Sequence, residues 1–354
     1  MANAILQYVS GFNTDIQKEL YVTSKTGVLI PENKKYDEKY GTVYIRQFKS
    51  TKGLANYDPE KGYDGAGSGD RPEWVGYTVD MDRQIHIVVD AMDELPSFLA
   101  GTESSIGVTF REKYNKNLSS EMDALAMARA YAGSIAGGNT LGASNFAKNF
   151  WGEIIRIKNL MYEKGVDENT LIYGFISSDI YAYGENQILT NGALANNAVL
   201  SKFTMQVPTG IEGTNHLELS LNAIKYDNVV LIKMPKERMS TSITLLDGRS
   251  EGQEAGGYLA GDEKMSAVFV PDKTMFTDVQ YHIEQLLLPA QAYSMLTPSD
   301  VNETLTKLVG NIKIENIGVN QKRNAFEMMG RIKYDSKVID VNKDKILCFK
   351  EATA

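Results

Sequence analysis

Cysteine is nearly absent from this chain of 354 residues: Cys348 stands alone. A single cysteine excludes an intramolecular disulfide, so the fold is not stapled in the manner of small secreted domains, and a reducing compartment suits it. Histidine is scarce too, with only His86, His216 and His282. None is spaced to share a metal with another, and three ordinary histidines are the plainer reading than a zinc site. The opening residues show no basic stretch followed by an apolar run, so no signal peptide is expected. No apolar stretch approaches the roughly 20 residues a membrane span needs. Positive charge is not in excess: 37 Lys and Arg stand against 45 Asp and Glu, a formal net charge of −8. That balance argues against wrapping nucleic acid, which calls for clustered Lys and Arg. Internal repeats and coiled-coil heptads are also missing.

What is present suffices for a substantial core. Apolar residues make up 43% and charged residues 23% of the chain, as in an average soluble globular protein. The length suggests two or three domain-sized parts. Residues 1–40 mix small, polar and tyrosine residues with weak periodicity and read as an extended arm. From Trp74 to Asp90 the chain alternates with period two. Val75, Tyr77, Val79, Met81, Ile85, Ile87 and Val89 share one face, which predicts one long half-buried strand. An earlier strand, Thr42 to Lys49, can pair with it across a loop rich in Gly, Pro and Asp. A two-stranded ribbon does not hold itself up in water, so a projecting hairpin that needs a partner is implied.

Residues 104–135 switch to helical spacing, with Ser104 or Ser105 as N-cap. A second helix is predicted from about Ser144 to Glu163, with Gly165 past its end. Strands are expected at Leu171–Ile176, Val229–Met234 and Val268–Val270, and a short helix at Ser177–Gln187. A glycine-rich acidic loop is expected over 247–264, another helix over Gln280–Tyr293, and two short strands within Gly330–Phe349.

Candidate chemistry is thin. Gly248-Arg249-Ser250-Glu251-Gly252 matches a nucleophile elbow, but that device needs a strand before the serine and a helix directly after it. The residues that follow, Gln-Glu-Ala-Gly-Gly, start a helix poorly, and a serine hydrolase using Ser250 is the remote alternative. The acidic loop Asp58–Asp70 lacks the spacing of an EF-hand. Gly137–Gly142 lacks the lysine and the preceding strand of a phosphate loop. Asp90, Asp93, Glu94, Glu121 and Asp123 could do acid–base chemistry in a cleft; with Arg83 near, a structural ion-pair network is the favoured reading. No catalytic residue, cofactor or metal is expected.

Five segments, in order, resemble the major capsid protein of tailed bacteriophages. Thr42-Val43-Tyr44-Ile45 with Gly53-Leu54-Ala55-Asn56-Tyr57 is similar to that family's outgoing E-loop strand and its sequel. Val79-Asp80-Met81-Asp82-Arg83 through Val89-Asp90-Ala91-Met92-Asp93-Glu94 is similar to the return strand. Ser120-Glu121-Met122-Asp123-Ala124 resembles a signature of the spine helix, and Val230-Leu231-Ile232-Lys233-Met234-Pro235 with Arg238 resembles an axial strand. Arg331-Ile332-Lys333-Tyr334-Asp335 with Val341-Asn342-Lys343 resembles a stretch near the family's C-terminus.

The resemblance implies an α+β phage major capsid fold. Its parts would be an N-terminal arm (1–40), an extended hairpin or E-loop (41–92), a peripheral domain with the spine helix (93–168), an α/β axial domain (169–280), and the C-terminal part of the peripheral domain (281–354). It implies a chain that is not an enzyme and that assembles with itself, as hexamers and pentamers, into an icosahedral shell around double-stranded DNA. Implied partners are a scaffolding protein, a portal, and packaged DNA on the inner face without sequence specificity; no membrane is involved. The expected location is the virion, after assembly in the host bacterial cytoplasm. No long charged helical segment precedes the arm, so the scaffold is expected as a separate protein. The hairpin strands, at about 3.3 Å per residue, would reach roughly 50 Å. The expected assembly residues are Arg46, Lys49, Lys52, Lys61 and Arg71, with Arg83, meeting acidic neighbours such as Glu121 and Asp123. An encapsulin-type nanocompartment shell is the alternative. A surface adhesin is disfavoured by the lone cysteine.

Overall fold

The computed structural model describes residues 23–29, 35–37, 41–49, 72–90, 105–139, 142, 145–190, 203–206, 223–248, 256–290 and 314–350. Its elements in chain order are β1 (Lys35–Asp37), β2 (Thr42–Gln47), β3 (Glu73–Thr78), β4 (Met81–Asp90), α1 (Ser105–Ala136), α2 (Phe150–Glu163), β5 (Ile172–Ser177), α3 (Ser178–Thr190), β6 (Phe203–Gln206), β7 (Ala223–Tyr226), β8 (Val229–Met234), β9 (Ile243–Leu246), β10 (Gly257–Ala260), β11 (Met265–Pro271), β12 (Met275–Pro289), β13 (Ile314–Asn320), β14 (Ala325–Val338) and β15 (Leu347–Lys350). The fold is α+β, as the sequence predicts. Its described residues fall into two units, one within Gln84–Lys116 and Tyr281–Arg331, the other within Thr23–Arg83, Asn117–Gln280 and Ile332–Ala354.

The second unit is built on a six-stranded sheet of order β15-β11-β5-β8-β7-β6, in which only β5 and β8 run parallel. Both faces are covered, which explains why these strands read as near-continuous apolar runs instead of alternating with polar residues. Phe175, Ile232, Met234, Val268, Val270 and Cys348 join Ala126, Met127 and Ala130 of α1 in one core cluster. Ile172, Ile176, Leu231, Ala267, Phe269 and Phe349 join Phe150, Ile154, Ile157 and Met161 of α2 in the other. Along each strand the assignment alternates, as the pleat requires.

Phe146, Phe269 and Phe349 pack ring against ring on the α2 side, with centroids 6.1–6.4 Å apart. Gly174 lies under them: a Cβ there would sit 2.8 Å from Phe269 Cε1 and 3.0 Å from Leu231 Cδ2. α2 starts later than the sequence suggests, with Asn149 as N-cap accepting from Gly152 N at 3.1 Å. It ends as expected at Gly165, whose φ of +79° suits glycine.

In the same unit β2 is the centre of a three-stranded antiparallel sheet, β1-β2-β3, with Thr42 opposite Thr78 and Gln47 opposite Glu73. Val43, Ile45 and Val79 pack on Phe276 and Ile339. The hairpin base is therefore present; its tip, with Lys52, Lys61 and Arg71, lies outside the described residues. The single strand expected over Trp74–Asp90 is instead two. The ladder stops at Thr78, Val79 N bonds to Gly41 O, and Asp80 N is taken by the Asp335 carboxylate at 3.1 Å. From Met81 the chain joins a different sheet, of order β13-β12-β14-β4. The alternation survives the break, because Val79, Ile85 and Ile87 are all buried while residues 74, 76, 78, 80, 82, 84, 86, 88 and 90 are exposed.

The first unit holds β13, with residues 84–90 of β4, 281–289 of β12 and 325–331 of β14. β12 and β13 pair in parallel from Ile283 opposite Ile314 to Pro289 opposite Asn320, and Leu286, Leu288, Phe326 and Met328 are buried. The helix expected over Gln280–Tyr293 is corrected to strand through Pro289. Its leucines fit either period, and pairing with β13 decides the matter. The expected loop 247–264 contains β10, paired antiparallel to β9. The two short strands expected within Gly330–Phe349 are one strand of 14 residues, β14, and the short β15. Residues 332–350 fall in the same unit as 117–280, where β15 pairs antiparallel with β11.

Candidate assembly site

α1 has 32 residues, about 48 Å at 1.5 Å per residue. Two carboxylates near its middle, Glu121 and Asp123, are 5% and 0% exposed. Two positions apart on a helix means roughly 200° around the axis, so they point to different sides.

Asp123 gathers the N-terminal segment. Its Oδ1 accepts from Ser24 Oγ at 2.8 Å, Thr26 Oγ1 at 2.7 Å and Thr26 N at 3.0 Å, and its Oδ2 from Lys25 N at 3.0 Å. Arg238, just past β8 and itself buried, donates to Oδ2 at 2.9 Å. Arg238 also reaches Thr23 O at 3.3 Å. The charge is thus paired and its lone pairs are satisfied, the condition under which a buried ion is tolerable. The Lys25 ammonium is held below its usual value by burial, against the pull of Asp123.

Glu121 gathers the strands. Arg83 Nε stands 2.9 Å from Oε1 and Arg83 Nη2 3.2 Å from Oε2, while the Tyr334 hydroxyl donates to Oε1. Burial raises the Glu121 pKa above 4.5, opposed by the Tyr334 hydrogen bond and the Arg83 charge. The Tyr334 phenol is pushed far up, first by its own burial and then by Glu121. Next to it, Asp335 (1% exposed) faces Lys337 at 2.9 Å and Arg129 at 3.5 Å.

The network reading of the acidic residues therefore holds for Glu121 and Asp123. Both carboxylates are buried and bonded to partners inside the chain, and Arg83 is the partner of Glu121 there. Arg46 and Lys49 are exposed at the hairpin base. Asp90 is exposed at the end of β4, and Asp93 and Glu94 lie outside the described residues. Sequence reading missed Arg238, Tyr334 and Asp335 as partners, although each sits in a segment that carries the family resemblance.

The hydrolase reading fares poorly. Ser250 and Arg249 lie outside the described residues, but by Gly257 the chain has returned as a strand antiparallel to β9. His216 also lies outside the description, and His86 is an exposed residue 3.6 Å from Glu327. Among the described residues no group of three or more His, Cys, Asp or Glu could hold a metal, and no helix is long and apolar enough to cross a membrane. Gly137 of the glycine-rich turn packs against the backbone of Lys343 and Asp344, where a Cβ would meet Lys343 O at 2.4 Å. Asn139 Nδ2 donates to Asp344 O and Ile346 O at 2.9 and 2.6 Å. That turn is a packing device.

No family model matches the sequence, and no curated protein matches it. Solved structures do align with it. A chain from the mature capsid of bacteriophage PhiM1 aligns over 97% of this chain and 91% of its own, with a TM-score of 0.48 and 10% identity. One from the capsid of cyanophage P-SCSP1u aligns over 97% and 92%, with a TM-score of 0.47 and 10% identity. One from the capsid of cyanophage Pam1 aligns over 97% and 96%, with a TM-score of 0.46 and 11% identity. All three come from phage capsids.

Proposed function

We propose that the chain is the major capsid protein of a tailed bacteriophage, a non-enzymatic subunit that assembles with its copies into an icosahedral shell around double-stranded DNA. The observation that carries this reading is the convergence of the resembling segments. Arg83 from one, Glu121 from a second and Tyr334 from a third form one cluster; Asp123 and Arg238 tie the second to a fourth. Short motifs that matched by chance would have no reason to supply each other's ion-pair partners.

Shell subunits bind neighbours through heterologous contacts that close. In this reading α1 is the spine helix, the β2–β3 ribbon is the base of the E-loop, and the covered six-stranded sheet is the axial domain. Arg46 and Lys49, with Lys52, Lys61 and Arg71 beyond them, would meet acidic surface groups of the next subunit other than Glu121 and Asp123. Hexamers and pentamers, a scaffolding protein, a portal, packaged DNA inside, and location in the virion complete the proposal. Replacing residues 50–71 with a short turn tests it: the chain should stay folded and soluble yet fail to assemble. Shells formed by that variant would contradict the hairpin's role.

A further inference from the structure

We propose that the Arg83–Glu121 pair is a proton-releasable latch that holds the base of the β9–β10 hairpin to the long helix. Arg83 Nη1 donates to Leu246 O at 2.6 Å and Nη2 to Gly257 O at 3.0 Å. Leu246 and Gly257 are register partners, the terminal pair of the β9–β10 ladder. One guanidinium therefore grips both strands at that end of the ladder, while its Nε and Nη2 bond to the Glu121 carboxylate. The planar fork makes this possible, since its donors point in fixed directions to two sets of acceptors at once.

Proton and arginine compete for the same carboxylate. Arg83 lowers the proton affinity of Glu121; by reciprocity of linked binding, protonation of Glu121 weakens its hold on Arg83. A half-buried arginine left with two carbonyls and no countercharge is better hydrated outside. Its departure frees Leu246 O and Gly257 O. The groups facing Glu121 are Arg83 from β4 and Tyr334 from β14, with Asp335 beside Tyr334. Tyr334 stays neutral across the range, so the switch belongs to the carboxylate. A neutral tie, Ser120 Oγ to Tyr258 OH at 2.9 Å, keeps the hairpin near the helix when the latch is open. The latch belongs to the single chain and does not rest on the shell reading.

Hydrogen exchange of the full chain, corrected for intrinsic exchange at each pH, tests the latch at the amides of Ile243–Leu246 and Gly257–Ala260. Between about pH 7.5 and about pH 4.5 their protection should fall roughly tenfold or more, as for loss of a charge-assisted hydrogen bond. The amides of Met265–Pro271 should keep theirs. Glu121→Gln should show the low protection at every pH. Unchanged hairpin protection in the native chain, or an acid step retained in Glu121→Gln, would overturn the proposal. If Glu121→Gln does not fold, Arg83→Met decides in the same way: pH-independent low protection supports the latch and a retained step overturns it.

Discussion

Asp123 and Arg238, 115 residues apart in sequence, meet in a buried ion pair of 2.9 Å. The pair fixes three segments at once: the middle of α1, the turn after β8, and residues 23–26, held through Thr23 O, the Ser24 hydroxyl and the amides of Lys25 and Thr26. Removing one partner leaves the other buried without a countercharge. Asp123→Ala should therefore lower stability by roughly 3–5 kcal/mol, read as a shift in the denaturant midpoint. Adding Arg238→Met should recover part of that loss, because the orphaned cation goes with it. Strictly additive effects would count against the pairing.

Glu121 makes stability depend on pH in a definite direction. Its pKa is raised in the folded chain, above 4.5, chiefly by burial. The folded state then binds a proton more tightly than the unfolded state. This contribution is fully present below about pH 4.5 and is lost as pH rises through the folded value. The stability deficit of Glu121→Gln relative to the native chain should accordingly shrink from pH 4 to neutral pH, as followed by urea unfolding at each pH. A deficit that grows over this range would mean Arg83 outweighs burial.

Gly174→Ala tests the packing of the sheet on α2. The new methyl would press on the Phe269 ring and Leu231, and overpacking of this kind lowers stability by about 1–3 kcal/mol. Phe269→Leu in the same chain should relieve part of the loss in thermal unfolding.

Cys348 is fully buried, and burial pushes its thiol up to about 12. A thiol reagent at neutral pH should leave it unmodified in the folded chain and label it completely in denaturant. Labelling at the unfolded-state rate under native conditions would place β15 outside the sheet.

The hairpin base allows assembly to be separated from folding. Arg46→Glu with Lys49→Glu should change stability by no more than about 0.5 kcal/mol, as for exposed positions. The same change should abolish or strongly slow shell formation in light scattering. Normal assembly of this variant would remove these two residues from the interface.

The sequence was most legible where a single period governs burial. Residues 74–90 show their buried face in their alternation, and α2 shows its own in the helical spacing of Phe150, Ile154, Ile157 and Met161. The break at Val79 and Asp80 was hidden, because Asp335, which takes the Asp80 amide, lies 255 residues away. β12 was misread for a related reason: its leucines fit both periods, and β13 settles the choice from a distance. The network at Glu121 and Asp123 could be suspected from the acidic residues and Arg83, but their further partners could not. The link from Glu121 to Tyr334 spans 213 residues, and no local pattern carries such a contact.

The central claim is that copies of this chain close into shells. Negative-stain electron microscopy of the purified protein, with size-exclusion chromatography beside it, tests it most directly. Closed shells, or rings of five and six subunits, are the expected result. A monomer under every condition, with a phage scaffolding protein supplied, would contradict it.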